Sequence, residues 1–392
     1  MKQNNTADIV IIGGGIIGCS IAYNLANQGA KNVVVLEKGE LCSGGTAKSC
    51  AITRSHYSIE ANVHHAVESV KIFENFDDMV GGDPRFTCTG QLVLGQEKHR
   101  PVMERVFCTQ NKYGSETQTL TPAEAAKLHP LLQFEDVDVI GFESRSGYCD
   151  PYLTTIAYAK RAKDLGVKFY TGTPVTGIRI NGVNKTIETR RSDFECSTLI
   201  LAAGPWTHNL GKMLGIKFPY EISKHKVLTL KIDIPYEKDW PIVKDLLTPE
   251  KIYFRPDAGG VVLVGTGDQG VPVNNVEEIT NDVEMEHIER IGKLMANRMP
   301  AFAEAKLVRS WTGPYDIPPD WNPIIGPVPK LEGVRVAAGF SGHGFKLAPT
   351  VGESLAQQIL GTNPRVPIDM YDMTRFETGK TLNGAYGIGT FA

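Results

Sequence analysis

The sequence predicts an α/β domain built around a dinucleotide site, with an α+β domain of antiparallel sheet inserted into it. Three observations carry this. The N-terminal stretch reads strand, glycine-rich turn, helix, strand. Segments of similar character recur near residues 200 and 340, so the dinucleotide domain is discontinuous. Between them lie runs that alternate or stay apolar between turn residues, as antiparallel strands do.

Taken in order, DIVII (Asp8 to Ile12) is short and rich in β-branched residues, as a buried parallel strand would be. In the stretch that follows, Ile17, Ile21, Ala22 and Leu25 recur at helical spacing and Gly29 marks a stop. NVVVLEK then reads as a second buried strand. Within this unit Gly13, Gly15 and Gly18 fit G-x-G-x-x-G, and Glu37 stands nineteen residues after Gly18. The first glycine permits the tight turn, the second lets backbone approach a pyrophosphate, and the third lets helix pack on strand. The helix N-terminus offers free N–H groups to phosphate. Glu37 suits ribose hydroxyls and disfavours a 2′-phosphate. The unit is Rossmann-like.

Further on, residues 59–79 show apolar residues at Val63, Ala66, Val67, Val70, Phe73 and Phe76 and predict a helix, on which His64 and His65 are packing or surface residues and not ligands. Asp150, Pro151 and Gly166 supply N-cap, first helical position and terminator of another helix. KVLTLKID and KIYFRPDAGGVVLVGTG read as strands of an antiparallel sheet, residues 283–299 as a helix, and 381–392 as a loose tail. The expected division is 1–85, 145–220 and 321–392 for the dinucleotide domain, with 86–144 and 221–320 for the substrate domain.

The bulk numbers agree with a globular chain. Its 392 residues suit two domains, with 42% hydrophobic and 22% charged residues. A formal charge of −3 gives no reason to expect nucleic acid. The seven cysteines are odd in number and lack CxxC spacing, so neither a disulfide framework nor a metal site is expected, and reduced thiols point to the cytoplasm. No apolar run approaches the roughly 20 residues that span a bilayer.

The dinucleotide is expected to be FAD. TLILAAGPW (Thr198 to Trp206) resembles the strand that passes under FAD in two-dinucleotide-binding flavoproteins, and a second complete GxGxxG unit for NAD is missing. Nearly the whole chain resembles the D-amino-acid-oxidase-like amine oxidoreductases, especially the sarcosine oxidase, dimethylglycine dehydrogenase and glycine oxidase branch. The resemblance rests on DIVIIGGGIIGCSIAYNLANQG, GYCDPYLTTIAYAKRAKDLG, LILAAGPWT, PPDWNPIIGPVP and AAGFSGHGFKLAPTVGESLA.

That resemblance implies oxidation of the C–N bond of a small secondary or tertiary amino acid, such as sarcosine, dimethylglycine or a proline-like compound. It implies FAD contacts from Gly13, Gly15, Ile16, Ile17, Gly18, Glu37, Lys38, Ser43, Thr46, Ser49, Cys50, Val175, Ala203, Gly204 and Trp206. It adds Gly342, His343, Gly344, Phe345 and Lys346, whose glycines would lay backbone against the flavin, ahead of a helix starting near Ala348. Arg54 and Lys346 take the place of the family's carboxylate clamp, and Tyr253 and Tyr315 its aromatic wall; a surface ion pair for Arg54 and core packing for the tyrosines are the plain alternatives. Gly313 stands where some relatives have a flavin-linking cysteine, and Lys48, Ser49 and Cys50 near where others have a linking histidine, so non-covalent FAD is expected, with Cys50 the thiol from which a link could form. The family's oxygen-activating lysine falls on Leu263 or Val264, which favours a dehydrogenase with a quinone or electron-transfer protein as acceptor. The alternative function is a flavin-bearing electron-relay subunit of a heteromeric amine dehydrogenase.

Overall fold

The computed structural model describes residues 3–386. IVII forms the strand Ile9–Ile12 and VVVL the strand Val33–Leu36, paired in parallel register from Ile9–Val33 to Ile12–Leu36. They lie in a six-stranded sheet ordered Lys168–Tyr170, Val33–Leu36, Ile9–Ile12, Thr198–Leu201, Val334–Ala338, Ile324–Pro327. The first five strands are parallel and the last is antiparallel.

Side chains alternate along each strand, so this sheet has two apolar faces. Ile9, Ile11, Val33, Val35 and Ile200 pack with the helices Ile16–Asn27, Pro151–Asp164 and Gly344–Ile359. Val10, Ile12, Val34, Leu36, Leu199 and Leu201 meet Ile178, Ile187 and Phe194 on the other face. Those three belong to a four-stranded sheet of Gln3–Thr6, Ser192–Cys196, Asn184–Thr189 and Val175–Asn181. The first and last of the three helices touch through a glycine. A Cβ on Gly352 would stand 2.2 Å from Ser20 Oγ, which donates to Ala348 O at 2.8 Å.

The third layer is a nine-stranded sheet whose strands all come from residues 91–143 and 221–317. Its longest pair, Glu221–Lys231 with Lys306–Ile317, is antiparallel, and Tyr253–Asp257 pairs antiparallel with Val261–Gly265. One pair departs from the expected pattern. Ile242–Asp245 runs parallel to Gln91–Gly95, which joins the two chain segments of the sheet. Leu92, Leu94, Val243, Phe254, Val262 and Val264 form its core with Ile291 and Met295 of the helix Met285–Arg298 and with Met299 just beyond its end.

Several local expectations hold. Asp150 Oδ1 accepts from Leu153 N at 2.8 Å and caps Pro151–Asp164, and Gly166 has φ +99°. Others need correction. The helix expected over 59–79 ends at Glu74 and restarts over Phe76–Met79, because Asn75 leaves the helical conformation and its side chain donates back to Lys71 O. The C-terminal helix begins at Gly344, so Lys346 lies in its first turn and Pro349 inside it. The tail is docked where it is described: Leu382 N donates to Asp320 Oδ2 and Ala385 N to Ser58 Oγ, while Tyr386 OH meets His56 Nε2 at 2.8 Å. Residues 387–392 lie outside the described residues. Among the described residues no helix is long and apolar enough to cross a membrane.

Candidate functional site

A cavity of ≈ 600 Å³ lies between the six-stranded and nine-stranded sheets. One end is made largely of backbone. Gly13 has φ +120°, and a Cβ there would stand 2.3 Å from Ala202 O. A Cβ on Gly18 would stand 2.0 Å from Gly13 O, so these two glycines are fixed by the turn and by helix-to-strand approach. Gly15 differs. Its φ is an ordinary −79°, it caps the helix without a side chain, and it faces the cavity. Ile16 N, the first helical donor, meets Thr46 Oγ1 at 3.2 Å. Glu37 lies across the turn, with Oε2 accepting from Gly14 N at 2.7 Å and Oε1 from Gly39 N at 2.8 Å. Each oxygen keeps a second lone pair for a ribose hydroxyl. This cradle, bare of side chains at Gly15 and acidic at Glu37, fits a dinucleotide without a 2′-phosphate.

Of the expected cofactor residues, Gly13, Gly15, Ile16, Ile17, Glu37, Lys38, Ser43, Thr46, Ser49, Cys50, Val175, Ala203, Gly204, Trp206, Gly342, His343, Gly344, Phe345 and Lys346 all line this cavity. Gly18 does not, in keeping with its packing role. Lys38 pairs with Glu277 at 2.9 Å and lies 4.1 Å from the Trp206 ring, whose Nε1 donates to the same carboxylate at 2.6 Å. Glu277 was not foreseen; nothing in its surroundings in sequence marks it.

Two of the glycines of GFSGHGF lie close against protein. A Cβ on Gly342 would meet the Tyr315 ring at 2.2 Å, and one on Gly339 would meet Pro318 Cγ at 2.6 Å. A Cβ on Gly344 would meet Phe340 of the same segment at 3.2 Å. Cys50 is half-buried, with Sγ 3.5 Å from Tyr253 OH, and desolvation pushes its thiol pKa up. A protonated thiol is a poor nucleophile.

The other end of the cavity is made of side chains. Arg54, Lys346, Tyr253 and Tyr315, expected from four distant segments, all line it. Lys346 is 8% exposed and, among the described residues, its ammonium has no hydrogen-bond or ion-pair partner. Burial first, and Arg54 second, hold its pKa well below the usual lysine value. Arg54 lies 4.4 Å over the Tyr57 ring and donates to His56 O. The loop carrying it is anchored from behind by buried Glu143, whose Oε2 accepts from Ser55 N at 3.0 Å and Ser146 Oγ at 2.8 Å and whose Oε1 stands 3.1 Å from His56 Nδ1. Burial opposes the charge on Glu143, yet these contacts hold its carboxyl at about 2. Tyr315 stacks on His225 at 3.7 Å between ring centres, and a Cβ on Gly265 would run into Tyr253.

One residue of this end escaped the sequence. Lys244, 6% exposed, lines the cavity from the middle of Ile242–Asp245. Its Nζ donates to Lys251 O at 2.6 Å and lies 5.3 Å from the Tyr253 ring. Burial, with Arg54 next, lowers its pKa to about 7. The available signal was a lysine directly after the apolar residues Ile242 and Val243 in a short strand that is buried throughout, a rare placement. Leu263 and Val264 are core residues, and Lys244 and Lys346 bring amino groups to the cavity from other segments. Among the described residues no cluster of three metal-ligating side chains occurs.

The family model described as FAD dependent oxidoreductase matches residues 8–358. The solved structure of L-proline dehydrogenase from P. horikoshii superposes with a TM-score of 0.89 at 30% identity, covering 96% of this chain and 99% of that one. The mitochondrial pyruvate dehydrogenase phosphatase regulatory subunit of Mus musculus is 29% identical over 94% of this chain and 43% of its own length. Mitochondrial sarcosine dehydrogenase of Homo sapiens is 27% identical over 96% and 42%. The chain thus spans less than half the length of these two relatives.

Proposed function

We propose that this chain, which belongs to the FAD-dependent oxidoreductase family, oxidises the C–N bond of a small secondary or tertiary amino acid of the sarcosine, dimethylglycine or proline kind. The observation that carries the reading is the buried amino group of Lys346, which has no hydrogen-bond or ion-pair partner among the described residues and faces the same cavity as Arg54. A buried cation without a partner is costly, and a substrate carboxylate removes that cost. The 30% identity to a structure titled L-proline dehydrogenase supports the substrate class.

In this reading residues 1–85, 145–220 and 321–392 hold FAD non-covalently, and 86–144 with 221–320 shape the substrate pocket. Gly15 admits the pyrophosphate to the N-terminus of Ile16–Asn27, and Glu37 accepts from the ribose. Bound FAD supplies the hydride acceptor. Arg54 and Lys346 grip the carboxylate by charge-assisted hydrogen bonds, and Tyr253 and Tyr315 wall the amine, so the reacting carbon is held in one orientation. The same cations disfavour a protonated amine nearby and so favour the neutral form, whose lone pair assists hydride loss. The imine product hydrolyses in water, releasing formaldehyde if a methyl group was oxidised. Cysteines that are all free suit a reducing compartment such as the cytoplasm.

The test is anaerobic bleaching of the flavin by sarcosine, dimethylglycine, proline, N-methylproline and D-amino acids in turn. Rapid bleaching by one of the secondary or tertiary amino acids is expected; bleaching by none of them overturns the reading. The second reading, an electron-relay subunit, draws on the likeness to a protein named as a regulatory subunit. Turnover by the isolated chain would dismiss it.

A further inference from the structure

We propose that His225 is a positioning residue: stacked on Tyr315, it fixes the ring that walls the amine, and so sets how large a substituent on the nitrogen the pocket accepts. The inference rests on the amine-oxidising reading above and deepens it from substrate class to specificity.

His225 and Ser223 lie two apart on Glu221–Lys231, so their side chains share one face of the sheet. In register, Ser223 stands opposite Tyr315 and His225 opposite Gly313 on Lys306–Ile317. Opposite residues of an antiparallel pair share a face, and diagonal neighbours are within reach of aromatic rings. Gly313 puts no side chain between Tyr315 and His225. The two rings lie nearly parallel, with 18° between their planes and 3.7 Å between their centres. Both residues line the cavity.

Both rings are held from outside the pair. His225 Nε2 stands 2.8 Å from Ser223 Oγ, and a Cβ on Gly270 would come within 2.6 Å of the same nitrogen. Gly270 is fixed in turn, its N donating to Asp268 Oδ1 at 3.2 Å. At its phenol end Tyr315 meets the main chain of Gly342, where a Cβ would stand 2.2 Å from Cζ. His225 Nδ1 is buried and has no hydrogen-bond partner among the described residues. An unpartnered buried nitrogen costs free energy that a phenyl ring in the same place would not. What the imidazole gains is the contact with Ser223, which fixes its rotation and with it the plane on which Tyr315 rests. Burial lowers its pKa to about 4, so at neutral pH it acts on the pocket through shape and not through charge.

The experiment titrates the oxidised holoenzyme with acetate, methoxyacetate, ethoxyacetate and tetrahydrofuran-2-carboxylate, and reads dissociation constants from the change in visible flavin absorbance. The ethers stand for N-methyl, N-ethyl and ring amines and carry no amine proton to titrate; acetate engages the carboxylate clamp alone. The ratio of the weakest to the tightest ether constant measures how strictly the wall selects. In His225→Ala that ratio should shrink by roughly three- to tenfold, the factor to which a stacked aromatic pair corresponds, while the constant for acetate stays as it was. His225→Phe keeps a ring against Tyr315 and should recover most of the ratio. In a Tyr315→Leu background His225→Ala should change nothing further. Flavin content and melting temperature are checked for each variant. The assignment is overturned if the parent does not discriminate among the ethers, if the ratio survives in His225→Ala, if acetate weakens as much as the ethers do, or if the full effect persists without Tyr315. Failure of the aromatic-wall reading has its own signature: Tyr315→Leu alone would leave the ratio as it is in the parent.

Discussion

The two ends of the cavity are built by opposite means. The cradle end is main chain, a run of glycines and helix donors supplied by residues 13 to 18 with one acid at Glu37. The far end is side chain, with Arg54, Lys244, Tyr253, Tyr315 and Lys346 drawn from five separate places in the sequence. A backbone site tolerates no added atoms, whereas a side-chain site tolerates substitution and changes its preference. The first end therefore decides whether the cofactor binds at all, and the second what is bound beside it.

The largest effects should come from the glycines, and they should differ in kind. Gly13→Ala forces a Cβ into Ala202 O at a φ that L-residues rarely adopt, at a cost of roughly 3 kcal/mol or more. Its melting temperature should fall sharply. Gly15 has an ordinary φ and meets little but Thr46 Oγ1 at 3.0 Å, so Gly15→Val should remain folded by circular dichroism yet emerge colourless. A yellow Gly15→Val protein with full flavin content would break the contrast.

At the other end, Lys346→Met should leave the protein yellow and weaken a carboxylate inhibitor about ten- to a hundredfold. An unchanged constant would mean that the clamp lies elsewhere. A pH titration sharpens the same point. A cation whose pKa is lowered loses its charge at lower pH than a free lysine does. With Lys244 at about 7 and Lys346 well below 10.5, the positive charge of the cavity drains as pH rises past 7. The affinity for acetate, which has no amine to titrate, should therefore fall between pH 7 and 10. A flat profile would show that Arg54 alone carries the binding.

The smallest effect should come from a residue that does not line the cavity. Asp150→Ala removes the cap of Pro151–Asp164, worth about 1 kcal/mol, and should lower the melting temperature by about 1–2 °C. Flavin content should not change; if it did, the cradle would depend on more than its own backbone.

The same contrast governs how much could be read from the residues. The strand–turn–helix–strand unit and the Asp150 cap are set by neighbours in sequence, so spacing alone exposed them. Lys346 and Arg54 stood out only through family likeness, and Lys244 not at all, since a strand's pairing partner and facing direction are tertiary facts. The parallel pairing of Ile242–Asp245 with Gln91–Gly95 was hidden for that reason. So was the docking of residues 382–386, whose anchors Asp320, Ser58 and His56 lie far back in the chain. The glycines near 340 were noticed as a pattern, but the close approach of the Tyr315 ring to Gly342 is a contact that no local window contains.

The order of strands in the central sheet carries a consequence for biosynthesis. Ile9–Ile12 pairs with Thr198–Leu201, which in turn pairs with Val334–Ala338, made more than three hundred residues later. At translation speeds of about 5–20 residues per second, the β-branched faces of the early strand wait roughly 15 to 65 s for their last neighbours. Over that interval the nascent chain exposes unpaired strand edges, a template for association with other chains. This protein should therefore be sensitive to holding chaperones and to growth temperature during expression, and slow to refold from denaturant because its sheet closes only through distant contacts.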